Sequence, residues 1–276
     1  NTRSTQWLEG ERIGKGSFGE VFKAMNCETG TEFAVKKILC SSWTTDVLNL
    51  TREIEVMRGL HHQNIVRYLG YEVRSEDGTL LIFQEWIPGD SLTSRLRTYG
   101  AFSNTVTRRY TRDVLHGLAY LHDNGVVHMD IKCENLLLDK GGVVKVADFG
   151  TALWVSDRKM GNAPRKMTRR GTPLYMAPEV LVQRHFTPKA DMWSLGGAVL
   201  QMATLRLPWA DKNFRSPVQL HRHMMDCQEP PDMPPGLPLA LQSFLERCFT
   251  WMSEDRPTAQ ELLKDPFLLE VSQGRK

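Results

Sequence analysis

The pattern of apolar residues changes near Ile87-Pro88-Gly89, and this change constrains the fold more than any other feature of the sequence. Before it, short β-branched or aromatic stretches at 21–24, 33–39 and 79–83 are separated by turn residues, which predicts an antiparallel sheet. After it, apolar residues recur mainly at helical spacing. A Pro-Gly step between two differently patterned parts is typical of a boundary. The sequence therefore predicts an α+β fold with two lobes and a ligand cleft between them.

Helix signals place one main helix in the first part and several in the second. Apolar residues at steps of three and four predict a single amphipathic helix packed on the sheet: Val47, Leu50, Ile54, Met57 and Leu60. In the second part, Ser103 opens a helix that carries Val106, Tyr110, Val114 and Leu118 and closes near Gly125. Thr258 with Glu261 predicts a capped helix start, and Pro266 predicts a stop. We expect the proline-rich stretch 230–238 to be a connecting loop rather than a ligand for another domain.

Charge and hydropathy exclude two classes of partner. The 276 residues include 35 Lys and Arg against 32 Asp and Glu, a formal net charge of +3. This charge is too small to predict nucleic-acid binding or a membrane surface. The longest uncharged run, Met192–Leu205, is shorter than the roughly 18 residues that span a bilayer, so we expect a buried core helix there. The sequence predicts no nucleic-acid partner and no membrane insertion.

The cysteines predict a reducing compartment. There are five, Cys27, Cys40, Cys133, Cys227 and Cys248, and none forms a C-x-x-C pair. This disfavours both a disulfide framework and a zinc site. We expect an intracellular, cytoplasmic location. The chain does not begin with Met, and we expect it to be part of a longer protein.

A glycine-rich string, Gly14-Lys15-Gly16-Ser17-Phe18-Gly19, matches G-x-G-x-x-G, which alone is a weak signal. In a dinucleotide-binding fold such a string opens a helix, whereas here residues 20–24 continue as a second strand. The string therefore predicts a hairpin tip whose backbone N–H groups can close over phosphates. Ala34 and Lys36 follow on one face of the next strand, a face suited to adenine and phosphate. Glu53, on the predicted helix, can hold the lysine, although either residue alone would suggest only a solvated surface.

Three further motifs follow in order: 128–135 (His-Met-Asp-Ile-Lys-Cys-Glu-Asn), 148–150 (Asp-Phe-Gly) and 177–179 (Ala-Pro-Glu). Together with the glycine string and the strand lysine, they resemble the eukaryotic protein kinases over residues 7 to about 268. The resemblance implies one protein kinase domain over 1–276, with an N-lobe at 7–87, a C-lobe at 88–268 and a short tail at 269–276. It implies a bilobal protein-kinase fold, ATP and Mg²⁺ as cofactors, and a protein as substrate.

The resemblance also assigns roles to individual residues. The implied catalytic set is Asp130 as the base, Lys132 beside the migrating phosphoryl group, Lys36 held by Glu53 on the α/β-phosphates, and Thr172 as a brace for Asp130 and Lys132. Asn135 and Asp148 would hold Mg²⁺. The implied ATP-binding residues are Ile13, Gly14, Lys15, Gly16, Ser17, Phe18, Gly19, Val21, Ala34, Lys36, Gln84, Glu85, Ile87, Ser91 and Leu137.

Other positions match structural roles in the family. Asp191 would brace the catalytic loop, and Arg256 would form an ion pair with Glu179. A regulatory stack of side chains in the family indicates whether the helix carrying Glu53 is docked. The matching positions in this chain are Met57, Tyr68, His128 and Phe149. We therefore expect His128 to be a packed residue rather than a metal ligand.

Lys132 together with the stretch 171–179 is similar to the serine/threonine type of protein kinase. Residues 7–10, 65–70 and 82–86 are similar to the mitogen-activated protein kinase kinase kinases. That likeness implies that the substrate is another kinase, a MAP kinase kinase. Three positions depart from the common pattern: Met129 replaces an arginine, Gln84 stands at the gatekeeper position, and Asp90 replaces a glycine.

Alternative functions remain at this point. A kinase-shaped scaffold could bind partners without turnover, although the intact catalytic set argues against it. A kinase of small metabolites is disfavoured by the 177–179 motif and by Arg256, which belong to the protein-substrate part of the family. The stretch between the 148–150 and 177–179 motifs, called the activation segment in this family, carries a run of basic residues. It is either a solvated loop or a docking or phosphate-responsive segment. The basic residues are Arg158, Lys159, Arg165, Lys166, Arg169 and Arg170.

Overall fold

The computed structural model describes residues 6–16, 19–39, 54, 57–154, 172–182 and 185–269. The chain divides after Pro88 into two units, Asn1–Pro88 and Gly89–Lys276. The first is built on an antiparallel sheet, and the second is mainly helical. The predicted α+β class is therefore confirmed.

The sheet of the first unit has five strands in the order β1-β2-β3-β5-β4. Each neighbouring pair is antiparallel. The strands are β1 (Trp7–Gly16), β2 (Gly19–Asn26), β3 (Glu32–Leu39), β4 (Tyr68–Arg74) and β5 (Thr79–Glu85). The three sequence stretches predicted as strands lie within β2, β3 and β5, because their β-branched and aromatic residues suit a pleated surface.

One face of this sheet carries an apolar core. Ala24, Val35 and Leu81 are buried at its centre. The rings of Trp7, Phe33 and Phe83 pack against them and contact one another edge to face, with centroids 5.8 to 6.2 Å apart. Because side chains alternate along a strand, the residues between these core positions point to the other face of the sheet.

Most of the helix predicted from Val47 to Leu60 lies outside the described residues, and this includes Glu53. Ile54 and Met57 are helical and buried, as their spacing predicts. Leu60 is also buried but follows the end of the helix.

The described helices of the second unit are numbered here in chain order. They are α1 (Leu92–Tyr99), α2 (Asn104–Asp123), α3 (Pro178–Leu181), α4 (Pro188–Thr204), α5 (Pro217–Cys227), α6 (Leu239–Cys248), α7 (Ala259–Leu262) and α8 (Pro266–Leu269). Ser103 caps α2 by accepting a hydrogen bond from the N–H of Val106 at 3.4 Å. Gly125 follows this helix with φ of 75°, so the predicted start and end are confirmed.

Helix α4 is the central helix of the second unit. All of its residues from 190 to 202 are buried, so the helix is enclosed around its whole circumference. This confirms the core helix predicted from the uncharged run, although the helix ends at Thr204 and Leu205 adopts a left-handed conformation with φ of 63°. Within the described part of the chain, no helix is both long and apolar enough to cross a membrane.

Four short strands flank the 128–135 and 148–150 motifs. β7 (Leu136–Leu138) pairs with β8 (Val144–Val146), and β6 (Val126–Val127) pairs with β9 (Leu153–Trp154). The 128–135 motif therefore connects β6 to β7, and the 148–150 motif connects β8 to β9. Both motifs lie in loops whose ends are fixed by strand pairing.

Two predictions about the C-terminal helices have different outcomes. The capping pair at the start of α7 is confirmed, since Thr258 and Glu261 exchange side-chain to backbone hydrogen bonds. Pro266 is not a simple stop, because it begins α8, where its missing N–H costs nothing. Residues 229–238 form a connection without regular structure between α5 and α6, as predicted.

Candidate active site

The glycine string forms a β-hairpin, as predicted. Gly14 pairs with Val21, and Gly16 pairs with Gly19. Ser17 and Phe18, between them in the sequence, lie outside the described residues. Gly19 has φ of 147°, and a Cβ there would lie 1.9 Å from the carbonyl oxygen of Lys37. Only glycine fits this close approach of two strands.

The other two predicted residues of the hairpin differ in their surroundings. Lys15 is exposed and lies 3.7 Å from the carboxylate of Glu20. Ile13 lies at an irregularity of β1 between Arg12 and Gly14, where the register with β2 shifts.

The sheet brings the predicted adenine and phosphate residues to one face. Val21 pairs with Lys36, and Ala34 pairs with Gln84. Directly paired residues of antiparallel strands point to the same side, and so do residues two apart on one strand. Val21, Ala34, Lys36 and Gln84 therefore share the face opposite the aromatic core. Lys36 is only 5% exposed. Its predicted partner Glu53 lies outside the described residues.

The backbone N–H and the side chain of Glu85 both form hydrogen bonds with the backbone of Arg67. The N–H donates to the carbonyl of Arg67 at 2.9 Å, and the carboxylate accepts from the N–H of Arg67 at 3.1 Å. Ile87 follows β5 with a buried side chain. Lys23 holds the intervening Trp86 by a cation–π contact of 5.6 Å, a contact that sequence reasoning missed.

In the second unit, the predicted ribose and adenine residues lie side by side. Ser91 and Leu137 form an isolated antiparallel bridge. The hydroxyl of Ser91 caps α1 by accepting the N–H of Ser94 at 3.2 Å, and it keeps its own proton for another acceptor. Gly89 lies where a Cβ would be 1.5 Å from the carbonyl oxygen of Leu138, so the backbone at Gly89 packs tightly on β7.

Asp130 lies in the 128–135 motif and is 7% exposed. Its Oδ1 accepts hydrogen bonds from the N–H and the hydroxyl of Thr172, at 2.9 and 3.1 Å. Its Oδ2 accepts from Nδ2 of Asn135 at 2.9 Å and pairs with Nζ of Lys132 at 2.8 Å. Four donors therefore fix both oxygens of one carboxylate, and charge-assisted hydrogen bonds of this kind are strong.

Thr172 also binds Lys132, as predicted. Nζ of Lys132 donates to the hydroxyl oxygen of Thr172 at 2.6 Å. Thr172 directly precedes a short turn, Pro173–Tyr175, that is fixed to α4. The hydroxyl of Tyr175 donates to Gln201 of α4 at 2.7 Å. Burial raises the pKa of Tyr175, so this phenol stays protonated and keeps its role as a donor. The core helix thus positions a residue that holds Asp130.

Asn135 and Asp148 fit the predicted Mg²⁺ site in their chemistry. Nδ2 of Asn135 donates to the backbone carbonyl and to Oδ2 of Asp130, so its amide oxygen is the atom suited to a metal. Asp148 has a carboxylate in a left-handed backbone, with φ of 61°. No group of three or more His, Cys, Asp or Glu side chains that could hold a metal occurs within the described ranges. A carboxylate and an amide oxygen suit Mg²⁺, which binds a few protein ligands together with substrate phosphates.

Asp191 braces the catalytic loop, as predicted. Its carboxylate accepts the N–H groups of His128 and Met129, at 2.9 and 2.8 Å. A further contact to Nε2 of His122, at 2.8 Å, was missed by sequence reasoning because His122 lies on α2, outside every motif. His128 is fully buried with its ring 5.0 Å from that of Phe149, so it is a packed residue, as predicted.

The predicted ion pair between Glu179 and Arg256 is confirmed. Two nitrogen–oxygen contacts of 2.7 and 3.1 Å join the guanidinium to the carboxylate. Arg256 also donates to the carbonyls of Lys189, Thr250 and Trp251, and its guanidinium lies 5.1 Å from the ring of Trp193. These contacts link the 177–179 motif to α4 and to the segment before α7.

The basic residues of the activation segment, from Arg158 to Arg170, lie outside the described residues. Met57 and Tyr68 are buried in the first unit, and His128 and Phe149 in the second.

Comparison with known protein families agrees with this geometry. The model of the protein kinase domain matches residues 7–268. The chain therefore belongs to the protein kinase family, the ATP-dependent enzymes that phosphorylate proteins. Among serine/threonine kinases of this family, it is similar to mitogen-activated protein kinase kinase kinases.

Three of these relatives illustrate the likeness. Mitogen-activated protein kinase kinase kinase A of Dictyostelium discoideum is 37% identical over 98% of this chain and 29% of its own length. Mitogen-activated protein kinase kinase kinase 2 of Arabidopsis thaliana is 38% identical over 95% of this chain and 41% of its own length. Mitogen-activated protein kinase kinase kinase 1 of Homo sapiens is 36% identical over 95% of this chain and 18% of its own length. The chain spans less than half the length of these relatives.

Proposed function

We propose that this chain is the catalytic domain of a serine/threonine protein kinase that phosphorylates a MAP kinase kinase. The observation that carries the proposal is the buried carboxylate of Asp130, positioned by Thr172, Lys132 and Asn135. A scaffold without turnover has no need of a buried carboxylate fixed by four donors. The names of the relatives support the assignment to a MAP kinase cascade.

The proposed reaction transfers the γ-phosphoryl group of ATP to a serine or threonine hydroxyl. Asp130 orients that hydroxyl and accepts its proton as the new P–O bond forms, and ADP leaves. Lys132, fixed between Asp130 and Thr172, neutralises charge on the phosphoryl group in transit. Asn135 and Asp148 would hold Mg²⁺, which would offset the charge of the triphosphate.

We assign ATP binding to residues of the sheet face that carries Lys36 and of the segment between β5 and α1. We propose that Ile13, Val21, Ala34 and Leu137 enclose adenine, that the backbone of Glu85 and Ile87 binds its polar edge, and that Ser91 lies near the ribose. The glycine hairpin at 14–19 covers the phosphates, and Lys36, held by Glu53, binds them. Gln84 occupies the gatekeeper position on the same sheet face as Ala34.

The proposal includes the domain boundaries and the location. We assign 1–276 to a single kinase domain, with an N-lobe at 7–87, a C-lobe at 88–268 and a tail at 269–276. The described cysteines, Cys27, Cys133, Cys227 and Cys248, are free thiols. This supports a reducing compartment, and we place the domain in the cytoplasm.

The test is phosphate transfer to purified MAP kinase kinases. Each candidate substrate carries a substitution that inactivates its own catalytic site, so that incorporated phosphate comes from the chain alone. We expect Mg²⁺-dependent incorporation on serine or threonine by the wild-type protein, and a loss of at least a hundredfold in Asp148→Asn.

The matched control is Asp123→Asn, since Asp123 is an exposed aspartate at the end of α2, away from the motifs. This variant should transfer phosphate at the wild-type rate. If the folded wild-type protein incorporates no more phosphate than Asp148→Asn, the scaffold function replaces the kinase function. Phosphate on other proteins but on no MAP kinase kinase would reject the substrate class alone.

A further inference from the structure

The hydroxyl of Thr151 joins two catalytic segments. Thr151 directly follows the 148–150 motif and is 3% exposed. Its Oγ1 donates to the backbone carbonyl of His128 at 2.9 Å. His128 stands two residues before Asp130, so a single side chain links the segment of the proposed metal ligand to the segment of the proposed base.

The same two segments meet at a second point, on the other side of Asp148. The N–H of Asp130 donates to Nδ1 of His128 at 3.2 Å, so the ring proton is on Nε2. That nitrogen donates to the carbonyl of Ala147 at 3.0 Å. His128 therefore holds residue 147 through its ring, and Thr151 holds His128 through its hydroxyl.

Asp148 lies between these two anchors in an unfavourable backbone conformation. Its φ of 61° is in the left-handed region, which costs backbone energy for a residue other than glycine, although aspartate adopts it more readily than most. Its Oδ1 accepts the N–H of Gly150 at 3.3 Å, which is a long and weak contact. The anchors at 147 and 151 therefore restrict the backbone on both sides of this carboxylate.

We propose that Thr151 is a positioning residue for the metal site. Its hydroxyl, acting through the carbonyl of His128, fixes Asp148 relative to Asp130. Met129, between His128 and Asp130, has no charged group that could supply such a link. This inference rests on the proposed kinase function, because it assigns Asp148 to Mg²⁺.

The test removes the hydroxyl and then restores it. Thr151→Val keeps the shape of the side chain without the donor, and Thr151→Ser keeps the donor. The matched control is Thr111→Val, since Thr111 is also fully buried and its hydroxyl donates to a backbone carbonyl, that of Thr107, at 2.7 Å within α2. Thr111 makes no contact that we assign to the catalytic site.

Two readouts do not depend on turnover. The first is Mn²⁺ binding, measured by electron paramagnetic resonance in the presence of the non-hydrolysable ATP analogue AMP-PNP. We expect Thr151→Val to raise the Kd of Mn²⁺ at least fivefold, while Thr151→Ser and Thr111→Val stay within twofold of wild type. The second is amide hydrogen exchange of the metal-free protein, which should become faster at 144–154 in Thr151→Val only.

Kinetics then separate positioning from general damage. Thr151→Val should lower kcat at least tenfold and raise the Mg²⁺ concentration that gives half-maximal rate, with an unchanged KM for the protein substrate.

A folded Thr151→Val that binds Mn²⁺ and exchanges like wild type would overturn the assignment. Thr151→Ala, which also lacks the hydroxyl, is measured in parallel in case Thr151→Val does not fold, and wild-type Mn²⁺ binding by that variant would overturn it equally. If the wild-type protein binds Mn²⁺ with AMP-PNP but transfers no phosphate, the proposed function fails, while the binding and exchange data still decide the role of Thr151.

Discussion

Asp191 accepts the amide hydrogen of Met129 at 2.8 Å, at a point where the backbone of Met129 is left-handed, with φ of 69°. A long side chain adopts this conformation only under constraint. The constraint comes from a fully buried carboxylate at the start of the core helix α4. Asp191 therefore sets the path of the chain directly before Asp130.

Replacing Asp191 should weaken the fold and the catalytic loop together. Asp191→Ala leaves the buried N–H groups of His128 and Met129 without their acceptor. We expect the free energy of unfolding to fall by about 2 to 6 kcal/mol, since two donors lose their acceptor and each buried donor left unsatisfied costs about 1 to 3 kcal/mol. Urea unfolding followed by tryptophan fluorescence measures this loss. Asp226→Ala, at an exposed position of α5, is the control and should stay within about 0.5 kcal/mol of wild type. Equal stability of the two variants would contradict this role.

The ion pair of Arg256 and Glu179 should be sensitive to the shape of its cation. Arg256→Lys keeps the charge but cannot form the paired contacts to the carboxylate or reach the three backbone carbonyls. We expect both Arg256→Lys and Arg256→Ala to lower stability, with a loss of about 3 to 5 kcal/mol for the alanine variant because Glu179 is left buried and unpaired. Thermal unfolding checks the order wild type, lysine, alanine. A lysine variant as stable as wild type would show that charge alone suffices.

The cysteines should differ sharply in reactivity. Burial raises the pKa of the Cys133 and Cys248 thiols. Because a raised pKa lowers the thiolate fraction at any given pH, and the thiolate is the nucleophile, both thiols should resist iodoacetamide at pH 8. Cys27 and Cys227 are exposed and should be alkylated under native conditions. Mass spectrometry of the labelled protein, with and without urea, tests this. Native labelling of Cys133 as fast as that of Cys27 would show that the site opens.

Because residue 129 is methionine, we predict that the kinase rate depends only weakly on phosphorylation of the activation segment. An arginine at this position pairs with a phosphorylated residue of that segment and orders it, whereas a thioether has no charge with which to do so. We expect phosphatase treatment of the isolated domain, confirmed by mass spectrometry, to change the initial rate by less than tenfold. A loss of tenfold or more, equivalent to about 1.4 kcal/mol of barrier, would indicate that another cation captures the phosphate.

The sequence predicts this fold well where a periodic or ordered pattern exists. The strands containing Val21, Lys36 and Gln84 follow from their alternation, and α2 follows from its spacing and from the cap at Ser103. The partners of Asp130 follow from the family motifs, although Thr172 lies 42 positions along the chain. Contacts outside any pattern were missed. Thr151 and His122 act through single hydrogen bonds at turns or helix ends, and no periodicity predicts such bonds.

Pro266 shows a different limit of sequence reasoning. A proline ends one helix and begins another equally well, because in both cases the missing N–H is the deciding property. Only the packing of Phe267 and Leu268 in the core shows that a new helix begins there.

The most direct test of the account is the steady-state rate of phosphate transfer by Asp130→Asn. The amide keeps the size of the carboxylate but cannot accept the proton of the substrate hydroxyl. We predict that kcat falls by about two to three orders of magnitude, with the KM for ATP within threefold of wild type and thermal unfolding showing a folded protein. A folded Asp130→Asn that retains kcat within threefold of wild type would contradict the claim that this carboxylate performs the reaction.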